Sequence, residues 1–260
     1  LGDYPLSGGT FFNFVPIWFT TTVAPQNLES STNNGSLFIN VFDANGLPVS
    51  NASVLVKNTS TSPTITINDA TNNSGTLQLV DIPTSTNAYQ IMITKNNYSS
   101  AKTYSPGDPL NPNPVQPHAT VATQEVTAIS FGIDRVSTLN VQTQDAFCQA
   151  IPSVGFNQVG ERLIGANPNT PAYSTSFTTD TAGSKVLGSL AWDTYTFTNT
   201  SNEYDLSGSI PLVPLTVNPN TIVPLSFVVE PKSPSSLLVT ITNASGTAIS
   251  DVSVNLAKAG

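Results

Sequence analysis

The sequence predicts an all-β fold, tandem β-sandwiches forming an elongated rod, and three observations carry that prediction. Apolar and polar residues alternate over short runs such as residues 37–41, the period-two signature of a strand with one buried face. Punctuation is dense, with 20 prolines and 16 glycines in 260 residues, and Thr, Ser and Asn supply about a third of the chain, so strong helix formers are scarce. Related segments also recur at a spacing close to a hundred residues, the size of one small sandwich rather than of a solenoid turn.

The recurrence locates the units. Residues 36–56 read SLFINVFDANGLPVSNASVLV, residues 138–156 read TLNVQTQDAFCQAIPSVGF, and residues 236–256 read SLLVTITNASGTAISDVSVNL; the anchors Leu37, Leu139 and Leu237 stand 102 and then 98 residues apart. In the first and third segments an Asx residue (Asp43, Asn243) opens a turn and a glycine (Gly46, Gly246) closes it, one side chain bonding the backbone and the other residue accepting positive φ. A second alternating run follows, through Ala52, Val54 and Val56 or through Val252, Val254 and Leu256, which reads as a hairpin-like start to a sandwich.

A second shared block supports the division. Residues 69–93 and 180–197 both run Asp, turn, Gly (Gly75, Gly183), strand, short loop, Tyr (Tyr89, Tyr195), strand. Leu77, Leu79 and Ile82 in one copy, and Val186, Leu187 and Leu190 in the other, are the expected core residues, with the two tyrosines packing at the core edge. Each copy closes on a β-branched run, residues 126–133 and 223–229. The expected organisation from the repeats is therefore residues 35–134 as the first sandwich, 135–232 as the second, and 233–260 as the first hairpin of an incomplete third. A lone hairpin is marginally stable in water, so that third unit needs completing, either by further chain or by strands from another chain, the former being the plainer expectation.

These segments carry a resemblance. The order L-x-V-x-V-x-D-x-x-G-x-P-V-x-x-A-x-V, then the Asp-to-Gly block, then a strand led by Tyr, resembles the carboxypeptidase regulatory-like family of transthyretin-like, Cna-B-like sandwiches. The second copy departs from the pattern, with Cys148 near the place of the turn glycine and Ala150 in place of the proline. FTTTVAPQ (residues 19–26), WDTYTF (192–197) and YDLSGSIPLVPL (204–215) together resemble prepilin-type secreted surface proteins of candidate-phylum bacteria. That resemblance implies that residues 1–34 are the terminal strands of a preceding pilin-like domain plus a linker, and it implies an extracellular, cell-surface location and self-association or contact with neighbouring repeats of the same protein.

Composition narrows the chemistry. A net charge of -8, with eight Lys and Arg residues in all, offers no positive patch for a phosphate backbone, so nucleic acid is not an expected partner. One histidine, His118, and one cysteine, Cys148, make no His/Cys zinc site, triad or disulfide framework. Apolar runs are too short to span a membrane; the richest, residues 11–19, is broken by Pro16. No catalytic, cofactor-binding or metal-binding residues are assigned, and no cofactor is expected.

Individual candidates have plain readings. Lys57, Lys95, Lys102, Lys185, Lys232 and Lys258 sit near turns or strand ends, where a solvated position is expected rather than an isopeptide bond, which needs an inward-facing lysine beside a carboxyl. Cys148 is expected to pack as a small hydrophobe, the other reading being an intermolecular bridge. The five-proline run ending at His118 (residues 105–118) reads as an extended loop, a stiff spacer or edge guard before a recognition loop. Asp43, Asp69, Asp81, Asp134, Asp145, Asp180, Asp193 and Asp205 are scattered singly, which suits Asx turns better than calcium. The aromatic residues Phe11, Phe12, Phe14, Trp18 and Phe19 read as core or interdomain residues of the lead-in segment. Seven Asn-x-Ser/Thr sequons are compatible with an extracellular surface, though this composition supplies several by chance.

The function expected from these readings is that of a non-enzymatic structural component of the cell surface, a stalk or pilus-like filament subunit with adhesion as an added role. The alternatives are a glycan- or protein-binding adhesin module and an accessory domain of a secreted enzyme.

Overall fold

A computed structural model describes residues 33–233 and 238–256, and among these the fold is all-β with no helix. The first eight strands are β1 (Asn34–Phe42), β2 (Ser53–Asn58), β3 (Ile65–Ala70), β4 (Thr76–Pro83), β5 (Ser85–Thr94), β6 (Ala101–Lys102), β7 (Ala119–Val121) and β8 (Val126–Gly132). One sheet has the order β4-β1-β8; the other runs β3-β2-β5, with β6 and β7 both pairing with β5. The next ten are β9 (Ser137–Gln144), β10 (Gly155–Gly160), β11 (Leu163–Gly165), β12 (Thr170–Pro171), β13 (Ser174–Thr178), β14 (Ser184–Leu190), β15 (Asp193–Asn199), β16 (Tyr204–Ile210), β17 (Leu215–Val217) and β18 (Ile222–Pro231). They form the sheets β14-β9-β18-β16 and β13-β10-β15-β17 and the small β11-β12 ladder.

The hydrophobic residues of these strands gather into two separate clusters. Leu37, Ile39 and Val41 of β1 face Val54 and Val56 of β2 and Ile91 and Ile93 of β5, all at most 2% exposed. In the other cluster Leu139 and Val141 meet a ring stack in which Phe227 lies 4.3 Å from Phe156 and 5.3 Å from Phe197. Each cluster takes its inward faces from two sheets, as period-two alternation requires.

The turn after β1 does not build a hairpin. Both edges of β1 are taken, by β4 on one side and β8 on the other, so β2 cannot pair with it and joins the facing sheet. The turn itself is as the sequence suggests: Asp43 Oδ1 accepts the Asn45 and Leu47 amides at 2.8 and 2.9 Å, and Gly46 has φ 77°. The same turn recurs at Asp145, whose Oδ1 accepts from Phe147 and Gln149, and at Asn243, whose Oδ1 accepts from Ser245 and Thr247. Among residues 238–256 that turn and the Thr242–Ala248 bridge are formed, and no strand is assigned.

Two further readings change. The Asx residue opening the turn before β4 is Asn72, which accepts the Ser74 and Thr76 amides, while Asp69 lies inside β3 opposite Val54; Asp180 opens the corresponding turn before β14. Val186 is 66% exposed, not a core residue, because adjacent positions of a strand point to opposite faces and Leu187 takes the inward one. Tyr89 and Tyr195 are fully buried, with hydroxyls donating to the Pro83 and Ala191 carbonyls at 2.5 and 2.8 Å. Tyr89 thereby ties β5 to the end of β4, and Tyr195 ties β15 to the loop before it.

Candidate functional site

Four residues, 133–136, separate β8 from β9, and none of their amides is left to water. Ile133 N–H donates to the Phe42 carbonyl, Asp134 N–H to Ser99 Oγ, Arg135 N–H to Asp134 Oδ1 and Val136 N–H to the Asn97 carbonyl. Asp134 Oδ2 also accepts the Ala44 amide at 3.1 Å, so one buried carboxylate pins the turn after β1 to the joint. On the far side, Ser137 Oγ donates to the Asn218 carbonyl and accepts the Thr221 amide. Asp134 therefore orders the joint instead of serving as an isolated turn residue.

The proline-rich loop is the second tie. It leaves the first group of strands and runs against the β11–β12 ladder: Val115 N–H donates to the Ile164 carbonyl and Ala166 N–H to the Asn113 carbonyl, both at 2.9 Å. The side-chain amides of Asn111 and Asn113 add bonds to the Ile164 and Asn167 carbonyls. Prolines leave few amides to satisfy, and the asparagines between them supply the donors. Gly165 fits here because a β-carbon would collide with Asn111 Oδ1. The spacer reading thus becomes a clamp between the two groups of strands, a role that proline content alone does not disclose.

Joint and clamp enclose a cleft of about 440 Å³. Lys102 and Tyr104 stand on one wall, Arg162, Tyr173, Asp193 and Tyr195 on the other. The Arg162 guanidinium stacks 4.3 Å from the Trp192 ring, and that indole lies against Gly132, where a β-carbon would stand 3.6 Å away. Asp193 accepts the Arg162 amide at 3.1 and 3.2 Å and the Thr194 amide at 2.8 Å, which fixes the loop carrying Arg162. Burial raises the Tyr104 hydroxyl above the usual phenol range, and the Arg162 charge opposes it. Burial raises Tyr195 further, reinforced by Asp193 and Tyr173. Both phenols remain protonated donors at neutral pH. The sequence reads Tyr195 as a core-edge residue and Asp193 as a turn residue, and it gives no sign that both line this wall or that Trp192 backs Arg162, since no local signal marks residues brought together by distant strands.

The remaining candidates lie apart. Cys148 is exposed, not packed: it occupies the left-handed turn position at φ 61° that Gly46 and Gly246 hold in the related turns, and such a position points its side chain outward. We expect Cys148→Gly to stabilise the protein by about 0.5–1 kcal/mol, because glycine removes the left-handed strain at a modest entropic cost; a chemical melt that moves the other way would show the strain to be absent. Each described lysine is exposed or half-buried, Lys95 donating to the Ser50 carbonyl. Asn58, a sequon residue, is fully buried, and its Oδ1 accepts from Ser60. The segment 19–26, the five lead-in aromatics and Lys258 lie outside the described residues. Among the described residues no group of three or more His, Cys, Asp or Glu side chains could hold a metal ion, and no helix is long and apolar enough to cross a membrane.

His118 packs under the clamp. Thr103 Oγ1 accepts the Ile91 amide at 2.9 Å and shares a hydrogen bond with His118 Nδ1, also 2.9 Å away. Burial holds the imidazole below its ordinary pKa of 6.5. The sign follows: as pH falls through 6.5 the unfolded chain takes up the proton before the folded chain does, so stability is lost with acidification and the loss levels off below the folded pKa. Melting temperatures followed from neutral to mildly acidic pH are expected to fall less in His118→Gln than in the parent protein.

No family model matches the chain, and no curated protein matches it. Solved structures similar to it include the shaft pilin SpaA of Lactobacillus rhamnosus GG, at 12% identity and TM-score 0.30, covering 78% of this chain and 100% of that one. The minor pilin GBS52 of Streptococcus agalactiae is similar at 15% identity and TM-score 0.32, with 78% and 100% covered. The Bacillus anthracis TIE protein is similar at 16% identity and TM-score 0.31; 76% of this chain is covered, and the chain spans about a third, 34%, of that protein's length. Likenesses of this size assign no function.

Proposed function

We propose that the chain is a non-enzymatic structural component of an extracellular cell surface, a stalk or filament subunit built of end-to-end sandwiches. The observation that carries this reading is the parallel pairing of the first and last long strands in each group. β1 runs parallel to β8 from Ser36–Val126 to Phe42–Gly132, and β9 parallel to β18 from Thr138–Ile222 to Gln144–Val228. Parallel neighbours begin at the same end, so the chain comes in at one end of each sandwich and leaves at the other. With only residues 133–136 between them, successive units follow one another along a line, and the clamp keeps them from folding back.

In this reading residues 35–134 and 135–232 are two carboxypeptidase regulatory-like sandwiches, and the Asn243 turn repeats the turn that follows the first strand of each. The partners are neighbouring repeats or other copies of the same protein. Electron microscopy of the native material tests it. Regular filaments with an axial repeat near the unit length, or slender rods on the cell surface, are the expected result. Compact particles in the cytosol, or small-angle scattering from the purified chain that fits a folded-back globule, would overturn it.

A further inference from the structure

We propose that the cleft between the two groups of strands is a binding site for an acidic oligosaccharide. The cleft's 440 Å³ lies within the range of about 300–1,000 Å³ typical of small-ligand sites, which favour junctions between domains. It continues into a second groove of about 370 Å³ on the outer face of β2 and β5, because Met92, Lys102 and Tyr104 line both. Two connected grooves, one between the groups of strands and one on the outer face of β2 and β5, suit a ligand of more than one ring.

Charge selects the ligand's sign. Lys57, Lys102 and Arg162 line the channel, three of only eight cations in a protein of net charge -8. Lys102 Nζ sits 5.1 Å over the Tyr104 ring, and Arg162 sits over the Trp192 ring with Nη1 3.5 Å from the Trp192 carbonyl; among the described residues neither cation is held in an ion pair. The two carboxylates along the channel are engaged with backbone amides: Asp193 with Arg162 and Thr194, Asp108 with Leu110. The cations are left to meet an anion.

The backbone argues against a peptide. Strand addition needs a continuous row of free amides and carbonyls, and the row along the channel is interrupted: Tyr104 N–H goes to the Gln116 carbonyl, His118 N–H to the Tyr104 carbonyl and Val115 N–H to the Ile164 carbonyl. Recognition falls to side chains, to the Tyr104 hydroxyl, the cationic heads and the apolar surface of Met92. This mixture suits a carboxylated sugar, which offers hydroxyls, carboxylates and apolar ring faces together.

The site does not depend on the stalk reading, since a cleft between two rigid units would bind whether or not the protein polymerises. Isothermal titration of the full chain with oligogalacturonate tests it, with maltohexaose as the neutral probe and a glutamate hexapeptide as the charged peptide probe. Binding of oligogalacturonate that falls with added salt, and weaker binding of the other two, is expected. Lys102→Ala and Arg162→Gln should each weaken it about tenfold or more, the scale of one charge-assisted hydrogen bond, while Lys185→Ala on β14 leaves it unchanged. Because Arg162 also packs on Trp192, its variant is read beside a thermal melt, and Lys102→Ala decides alone if the melt shifts. Absence of binding, equal binding of the hexapeptide, or undiminished binding by Lys102→Ala overturns the proposal.

Discussion

Phe227→Ala is expected to destabilise residues 135–232 by about 3–5 kcal/mol, the usual cost of deleting a buried phenyl ring and leaving its cavity. The position is central: Phe227 is fully buried, stacks on Phe156 at 4.3 Å and meets Phe197 edge-on at 5.3 Å. Neither neighbour can collapse into the space, because Phe156 is itself held against Phe177 on an adjacent strand. Scanning calorimetry of the whole chain reads the effect. If the two hydrophobic clusters are separate folding units, one transition moves down and the other, belonging to residues 35–134, stays within the smaller shift caused by a loosened joint. A single transition that moves as a whole would sink the proposed division into two sandwiches.

Gly75→Ala should be the second severe change, and Gly46→Ala its mild counterpart. Both glycines are in the left-handed region, at φ 70° and 77°. That conformation alone costs a residue with a β-carbon about 1–2 kcal/mol. At Gly46 nothing lies within 4 Å of the added carbon, so the cost should end there. At Gly75 the carbon would collide with the Val41 carbonyl, in a strand whose amide bonds back to the Gly75 carbonyl at 2.8 Å. Neither backbone can retreat without breaking that bond, which adds about 1–3 kcal/mol of overpacking. Urea melts of the two variants should differ accordingly, and equal losses would mean that the turn before β4 can yield.

The contrast between these glycines also marks how far the sequence was legible. Its period-two runs disclosed β1, β9 and the closing strands, since alternation is a local consequence of burying one face. Gly46 and Gly246 are recognisable because their place at the end of an Asx turn calls for positive φ, and both have it, at 77° and 80°. Which strand would pair with which was not legible: that β2 crosses to the facing sheet follows from β4 and β8 occupying both edges of β1, a fact contributed by residues some forty and ninety positions downstream. Asp69 was a reasonable choice for a turn opener, yet Asn72 stands three residues before Gly75 and has the same capacity to cap amides.

The cleft was less legible still. Tyr104 and Arg162 have no mutual spacing that suggests chemistry, and it takes both the joint at residues 133–136 and the clamp at residues 111–115 to bring their walls together. Cys148 shows the same limit from the other side. Its residue type argued for burial, and its turn position, already noticeable from the alignment with Gly46, argued for exposure; backbone geometry outweighed side-chain preference.

The parallel pairing of β1 with β8 and of β9 with β18 has a mechanical consequence. Tension applied along the chain pulls the paired strands of each sandwich past one another, at right angles to the bonds that join them. The rungs of each ladder must then give way together, in shear, whereas a terminal hairpin would open one rung at a time. Strands arranged on this plan resist stretching through cooperative ladders, the hydrogen bonds of each sharing the load.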